Sequence, residues 1–186
     1  MLAALPITVT EVQATLEAAP AANAGAEVPV NWTGPDTRND HIIVVPAGAS
    51  DDTRGTYAYT RNGNPAKMTL PDDAGSFELR YVMGQSRRVL AKMPIEVLPT
   101  SATLDAVPVA PAGGKIDVTW TGPDNRNDHI TIGTPGADGR QKVGYSYTRK
   151  GNPVSIKLPD APGNYELRYV TGQDHKVLQR LPITLN

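Results

Sequence analysis

The residues of this chain that best suit chemistry lie in a short loop that occurs twice, as WTGPDTRNDHI at residues 32–42 and WTGPDNRNDHI at residues 120–130. Each copy gathers carboxylate and amide oxygens, the ligand atoms that Ca²⁺ prefers. The calcium candidates are Asp36, Asn39 and Asp40 in the first copy and Asp124, Asn127 and Asp128 in the second. The spacing is not that of an EF-hand, and Pro followed by Asp is also typical of a β-turn. The turn interpretation, which requires no cofactor, stands beside the calcium interpretation.

A histidine follows the aspartate in each loop, at His41 and His129. A His beside an Asp suggests general-base chemistry, but such a base needs a nucleophile or a metal within hydrogen-bond reach. No second motif supplies either, and the chain has no cysteine. We therefore predict no catalytic residues and a protein that is not an enzyme.

A second polar set lies on the strand predicted at FELRYV and YELRYV, together with tyrosines of the neighbouring strand. Alternation along the strand turns its Glu and Arg away from the core. The predicted interaction patch consists of Tyr57, Tyr59, Glu78, Arg80, Gln85, Tyr145, Tyr147, Glu166, Arg168 and Gln173. The alternative is a solvated strand face with cross-strand charge pairs, each worth about 0.2–1 kcal/mol.

Both sets recur because the chain repeats itself, without a gap, at a spacing of 88 residues. The segment LAALPITV at residues 2–9 also matches the closing segments of the two copies. The predicted domains are residues 1–9, the terminal strand of a preceding repeat; residues 10–98, the first repeat; and residues 99–186, the second. Because a strand separated from its own sheet has unpaired backbone groups, residues 2–9 are predicted to add to a sheet edge and could mediate a homodimer.

Short alternating apolar stretches, with 17 prolines and 17 glycines between them, predict an all-β fold. About seven strands in each copy are typical of an immunoglobulin-like or fibronectin-type-III-like β-sandwich. Residues 7–19 have the propensity of a helix, but the second copy places Pro99 at the position of Glu11. An interior proline costs a helix about 3 kcal/mol. Two strands joined by a turn therefore suit both copies better.

Composition excludes several kinds of partner. The formal net charge is −1 and no continuous basic stripe occurs, so nucleic acid is not an expected partner. No apolar run approaches the length that crosses a bilayer, so membrane insertion is not expected.

The motifs WTGPDxRNDHI and ELRYVxGQ resemble those of the Ig-like repeats that accompany von Willebrand factor A domains in bacterial extracytoplasmic proteins. The resemblance covers both copies and residues 2–9. It implies a non-catalytic spacer, display or protein-interaction segment of a larger bacterial protein that is periplasmic, secreted or exposed at the cell surface; the protein partner is unknown. The alternative function is binding of Ca²⁺ or a glycan by the GPDxRND loops. For a glycan, Trp32 and Trp120 would have to be exposed, whereas alternation predicts that both are buried.

Overall fold

The computed structural model describes residues 10–186, and nearly all of their regular structure is β-strand. They form two compact units, and each repeat of the sequence contributes eight strands and one short 3-10 turn. The prediction for residues 1–9, including a homodimer through residues 2–9, lies outside the described residues. Within residues 10–186 no helix is long and apolar enough to cross a membrane.

The first repeat forms two sheets. Its strands are β1 (Thr15–Glu17), β2 (Ala21–Asn23), β3 (Glu27–Thr33), β4 (His41–Pro46), β5 (Tyr57–Tyr59), β6 (Ala66–Thr69), β7 (Gly75–Val82) and β8 (Val89–Leu98), with the 3-10 turn at Thr60–Asn62. One sheet has the order β1-β3-β6, and the other has the order β2-β8-β7-β4-β5. Strand β1 pairs with β3 antiparallel, while β2 runs parallel to β8. The first strand of the sandwich is thus divided between the two sheets.

The second repeat reproduces this topology. Its strands are β9 (Thr103–Asp105), β10 (Val109–Ala110), β11 (Lys115–Thr121), β12 (His129–Gly133), β13 (Gly144–Tyr147), β14 (Val154–Lys157), β15 (Gly163–Val170) and β16 (Val177–Leu185), with a 3-10 turn at Thr148–Lys150. The sheets have the orders β14-β11-β9 and β10-β16-β15-β12-β13. The predicted all-β fold of two Ig-like sandwiches is confirmed, with a short extra strand, β10, where the chain passes from one sheet to the other.

Alternation along the strands determines the core of each sandwich. In β11, Ile116, Val118 and Trp120 are buried and the residues between them are exposed. They pack with Leu167 and Tyr169 of β15, on the opposite sheet, in one apolar cluster. Removing such side chains from water is the main favourable contribution to folding.

The segment before β1 contains no helix, since residues 10–14 have no regular structure and β1 begins at Thr15. Residues 10–19 therefore form no helix, as predicted, and contain one strand, whereas residues 7–9 of the predicted pair of strands lie outside the described residues. Near the start of β15, Tyr165 donates a hydrogen bond from its hydroxyl to the carbonyl oxygen of Ala161, at 3.1 Å. Its equivalent in the first repeat, Phe77, has no hydroxyl.

Candidate functional site

Asp40, at the end of the first GPDxRND loop, is a buried structural anchor. Its carboxylate accepts hydrogen bonds from the backbone N–H (2.9 Å) and hydroxyl (2.8 Å) of Thr37, from the N–H of Gly84 (2.8 Å) and from the hydroxyl of Tyr81 (2.9 Å). Four donors fill the lone-pair sites that a carboxylate offers. Asp40 therefore has no oxygen free for a cation.

Protonation of Asp40 is governed by the same contacts. Burial alone raises the pKa of a carboxyl group, but the bonds from Gly84, Thr37 and Tyr81 outweigh it and hold the pKa of Asp40 below its ordinary value. Conversely, burial raises the pKa of the Tyr81 hydroxyl to about 12. The pair is thus a stable carboxylate with a neutral phenol.

Asp128 occupies the same position in the second repeat. It accepts hydrogen bonds from the N–H groups of Asn125 (3.0 Å) and Gly172 (2.8 Å) and from the hydroxyl of Tyr169 (2.9 Å). The threonine hydroxyl of the first repeat has no counterpart, because asparagine stands there. Burial raises the pKa of Asp128.

The other calcium candidates lie at positions where the loop backbone has a positive φ angle. Asp36 and Asn39 have φ of 49° and 68°, and Asp124 and Asn127 have φ of 51° and 67°. Asp and Asn tolerate this left-handed region better than most other residues. Among residues 10–186 no group of three or more acidic, His or Cys side chains is placed to hold a metal ion. The geometry therefore favours the turn interpretation over the calcium interpretation.

The tryptophans that precede the loops are structural as well. The indole N–H of Trp32 donates to the carbonyl of Gly63 (3.2 Å), and its ring lies 5.9 Å from that of Tyr81. Trp120 makes the equivalent contacts and is 8% exposed. The prediction of burial is thus confirmed for Trp120 but not for Trp32, which is only partly buried.

The arginine of the first predicted interaction patch requires a correction. Arg80 faces away from the core, as expected, but it is only 1% exposed. It donates to Glu78 from Nε (2.7 Å), to Ser50 O from Nη1 (2.7 Å) and to Ala49 O from Nη2. The physical reason is that the segment after β4 folds back over this face of the sheet, where Ala49 packs on a small apolar cluster. Arg80 fastens that segment instead of offering a surface for contact.

The second repeat differs in how it satisfies this arginine. Arg168 is fully buried and donates from Nη2 to the carbonyl of Gln141 (3.0 Å). Glu166, itself 8% exposed, accepts a hydrogen bond from Arg180. Within the described chain, Nε and Nη1 of Arg168 have no hydrogen-bond partner. Burial accordingly lowers the pKa of this guanidinium. Neither Glu166 nor Arg168 offers an exposed surface.

The tyrosines of the predicted patch are the part that remains accessible in the first repeat. Tyr57 is 53% exposed, and its ring lies edge-on to that of Tyr59 at 5.1 Å. His41 joins them, 5.5 Å from Tyr57, and the guanidinium of Arg61 lies 4.2 Å from the centre of the Tyr59 ring. Gln85 is exposed nearby, on the turn after β7.

The second repeat has the same cluster in a more closed form. Tyr145, 48% exposed, lies 5.4 Å from Tyr147 and 5.9 Å from His129. His129 is only 1% exposed, since His175 packs against it at 6.4 Å. Gln173 is half-buried.

A groove of about 520 Å³ opens beside the tyrosines of the first repeat. Its walls come from the end of the GPDxRND loop, the start of β4, strand β5 and the turn after β7. The lining residues are Asn39, His41, Ile43, Arg54, Gly55, Tyr57, Tyr59, Gly84, Gln85 and Arg87. Sequence reasoning found Tyr57, Tyr59 and Gln85 but missed Arg54 and Arg87. The sequence distinguishes Arg54 and Arg87 only in that the second repeat has different residues, Lys142 and His175, at the equivalent positions.

Comparison with known proteins gives structural neighbours only. No family model and no curated protein matches the chain. The adhesin InvE of Yersinia pseudotuberculosis is 15% identical with a TM-score of 0.34, the D0-D1 domain of intimin is 14% identical with 0.32, and the FN1-FN3 domains of chicken CNTN1 are 11% identical with 0.33. The matches cover 93%, 94% and 91% of this chain and 58%, 98% and 66% of those structures. The Ig-like fold is confirmed by the strand topology, whereas an association with von Willebrand factor A domains stays a prediction.

Proposed function

We propose that the chain is a non-catalytic tandem Ig-like module that displays or contacts another protein, as a segment of a larger bacterial secreted, periplasmic or surface protein. One observation carries the proposal: the cluster of tyrosines with cationic neighbours recurs at β5 and β13, and one tyrosine of each cluster is about half exposed. Tyr and Arg are the residues enriched in protein interfaces and in their energetic centres.

The polar side chains of the GPDxRND loops support this proposal, because they make structural hydrogen bonds. A histidine that acts as a general base would need the neighbouring aspartate to orient its imidazole ring. Instead Nδ1 of His41 lies 3.0 Å from the carbonyl oxygen of Asn39, while Asp40 is occupied by Thr37, Gly84 and Tyr81. These side chains stabilise a turn, and no reaction is assigned to them.

The proposal is tested in the larger protein by two kinds of variant. Replacement of the whole segment by an unrelated Ig pair of equal length preserves the role of a simple spacer but abolishes that of a contact module. The double variant Tyr57→Ser, Tyr145→Ser keeps the fold, because both side chains are about half exposed, and removes the exposed tyrosine of each cluster. We expect loss of partner binding from both variants. Binding that survives in the tyrosine variant but is lost in the replacement would contradict a role for this surface.

A further inference from the structure

The groove of the first repeat carries two arginines where the second repeat has a lysine and a histidine. Arg54 and Arg87 line it, both side chains exposed. In the second repeat Lys142 lies 5.1 Å from the ring of Tyr145, and His175 packs against His129. The two repeats therefore share a scaffold but differ at the two cationic positions of this site.

Both arginines lack a close anionic partner in the part of the chain that the structure describes. No carboxylate there lies within 4.0 Å of Arg54 or Arg87. Arg87 exerts a weak attraction on Asp52, a carboxylate that is held mainly by the hydroxyl of Ser50. A guanidinium presents a fork of donors that matches a carboxylate, so the groove is complementary to an acidic ligand.

The strand beside the groove has unused backbone groups. In residues 10–186, β5 is the last strand of its sheet and pairs only with β4. The bonds from Val44 N–H to Thr56 O and from Thr60 N–H to Asp40 O show that even-numbered residues of this segment face β4. Because the direction alternates in an antiparallel pair, the N–H and C=O groups of Tyr57 and the N–H of Tyr59 point outward. The C=O of Tyr59 begins the 3-10 turn at Thr60–Asn62 and accepts the first hydrogen bond of that turn. An extended chain placed there would gain main-chain hydrogen bonds.

We propose that the first repeat binds an extended acidic peptide, which adds to the edge of β5 and places a carboxylate against Arg54 or Arg87. The added strand lies about 4.8 Å from β5, so its side chains on the groove face are neighbours of Tyr57 and Tyr59. A peptide is favoured over an acidic sugar because only a peptide uses the outward backbone groups as well as the arginines. This inference rests on the proposed interaction function and names the class of partner.

The test uses the whole chain and a fluorescein-labelled peptide of seven residues in which glutamate alternates with valine. A control peptide carries glutamine in place of glutamate. Fluorescence anisotropy is expected to show at least tenfold tighter binding of the acidic peptide, since each charge-assisted hydrogen bond is worth about a factor of ten or more. The double variant Arg54→Gln, Arg87→Gln, which removes both charges from the groove, is expected to lose that preference. Arg140→Gln, at an exposed arginine outside the groove, is the matched control and is expected to keep it.

Two further probes separate strand addition from simple charge attraction. The acidic peptide with every backbone nitrogen methylated has no N–H donor for pairing with an edge strand, so it is expected to bind about tenfold more weakly. Equal binding of the methylated peptide, or no dependence on Arg54 and Arg87, would overturn the proposal. Arginine-dependent binding of a galacturonic acid trisaccharide without peptide binding would overturn it in favour of an acidic glycan. These outcomes concern only the acidic peptide. The proposed interaction function is tested separately, by replacement of the whole segment in the larger protein.

Discussion

Mild acid is expected to destabilise the second repeat through one buried histidine. His129 is 1% exposed, is enclosed by Tyr145, Tyr147 and His175, and lies with Nδ1 3.1 Å from the carbonyl of Asn127. Its Nε2 is buried and has no hydrogen-bond partner among the described residues. Burial, the main cause, together with weaker repulsion from nearby cations, lowers the pKa of His129 from 6.5 to about 4.

The sign and size of the effect follow from proton linkage. Because the folded state binds the proton less readily than the unfolded chain, stability is complete above pH 6.5 and is lost as the pH falls from 6.5 to about 4. At about 1.4 kcal/mol per pKa unit, the whole loss is about 3 kcal/mol, and about 2 kcal/mol of it has occurred by pH 5.

The assay is urea denaturation at pH 7.5 and pH 5.0, followed by the fluorescence of Trp120 in a Trp32→Phe background. The background removes the tryptophan of the first repeat, so the signal reports the second. Between the two pH values the free energy of unfolding should fall by about 2 kcal/mol more with His129 present than in the His129→Gln variant. Equal losses in the two proteins, or an NMR titration of the His129 ring with a midpoint near 6.5, would refute the reasoning.

Five other substitutions test packing and hydrogen bonding. Tyr165→Phe should lower the free energy of unfolding of the second repeat by about 1 kcal/mol, and Phe77→Tyr should raise that of the first by less, as judged by urea denaturation. Gly34→Ala should cost about 1–3 kcal/mol in thermal melting, because its Cβ would lie 2.7 Å from the tyrosine ring of β7. Arg80→Met should lower the free energy of unfolding by about 3 kcal/mol, because it breaks a close ion pair with Glu78 and two hydrogen bonds to the loop. Arg168→Met should lower it much less, because Arg168 lies 3.8 Å from Glu166 and two of its buried nitrogens have no hydrogen-bond partner among the described residues. Equal costs for the two arginines in urea denaturation would contradict this assignment.

Much of the fold is predictable because local patterns decide it. The alternation of Ile116, Val118 and Trp120 identifies the inward face of β11, and that face is buried as expected. Residues 7–19 were ambiguous between helix and strand. The second copy has Pro99 at the position of Glu11, and a proline in the interior of a helix is strongly unfavourable, so the comparison favoured strands. A duplicated sequence thus supplies a constraint that a single copy lacks.

The burial of Arg80 and Arg168 was not predictable from the same patterns. Alternation shows that these side chains point away from the core, but it does not show what covers the opposite face. That covering segment, which reaches Arg80 through the carbonyls of Ala49 and Ser50, comes from some 30 residues earlier in the chain. The groove is equally non-local, since Arg54 and Arg87 approach it from different loops.

The two repeats together separate structural residues from residues available for recognition. The Asp–Tyr anchor is the same in both, with hydroxyl-to-carboxylate distances of 2.9 Å for Tyr81 to Asp40 and for Tyr169 to Asp128. A feature maintained in both copies by buried hydrogen bonds is explained by folding. The two arginines of the groove, Arg54 and Arg87, are not maintained, since the second repeat has Lys142 and His175 at their positions. The fold accommodates Arg54 or Lys142 at one position and Arg87 or His175 at the other. Folding therefore does not explain why the first repeat has arginine at both positions, whereas binding of an acidic ligand would explain it.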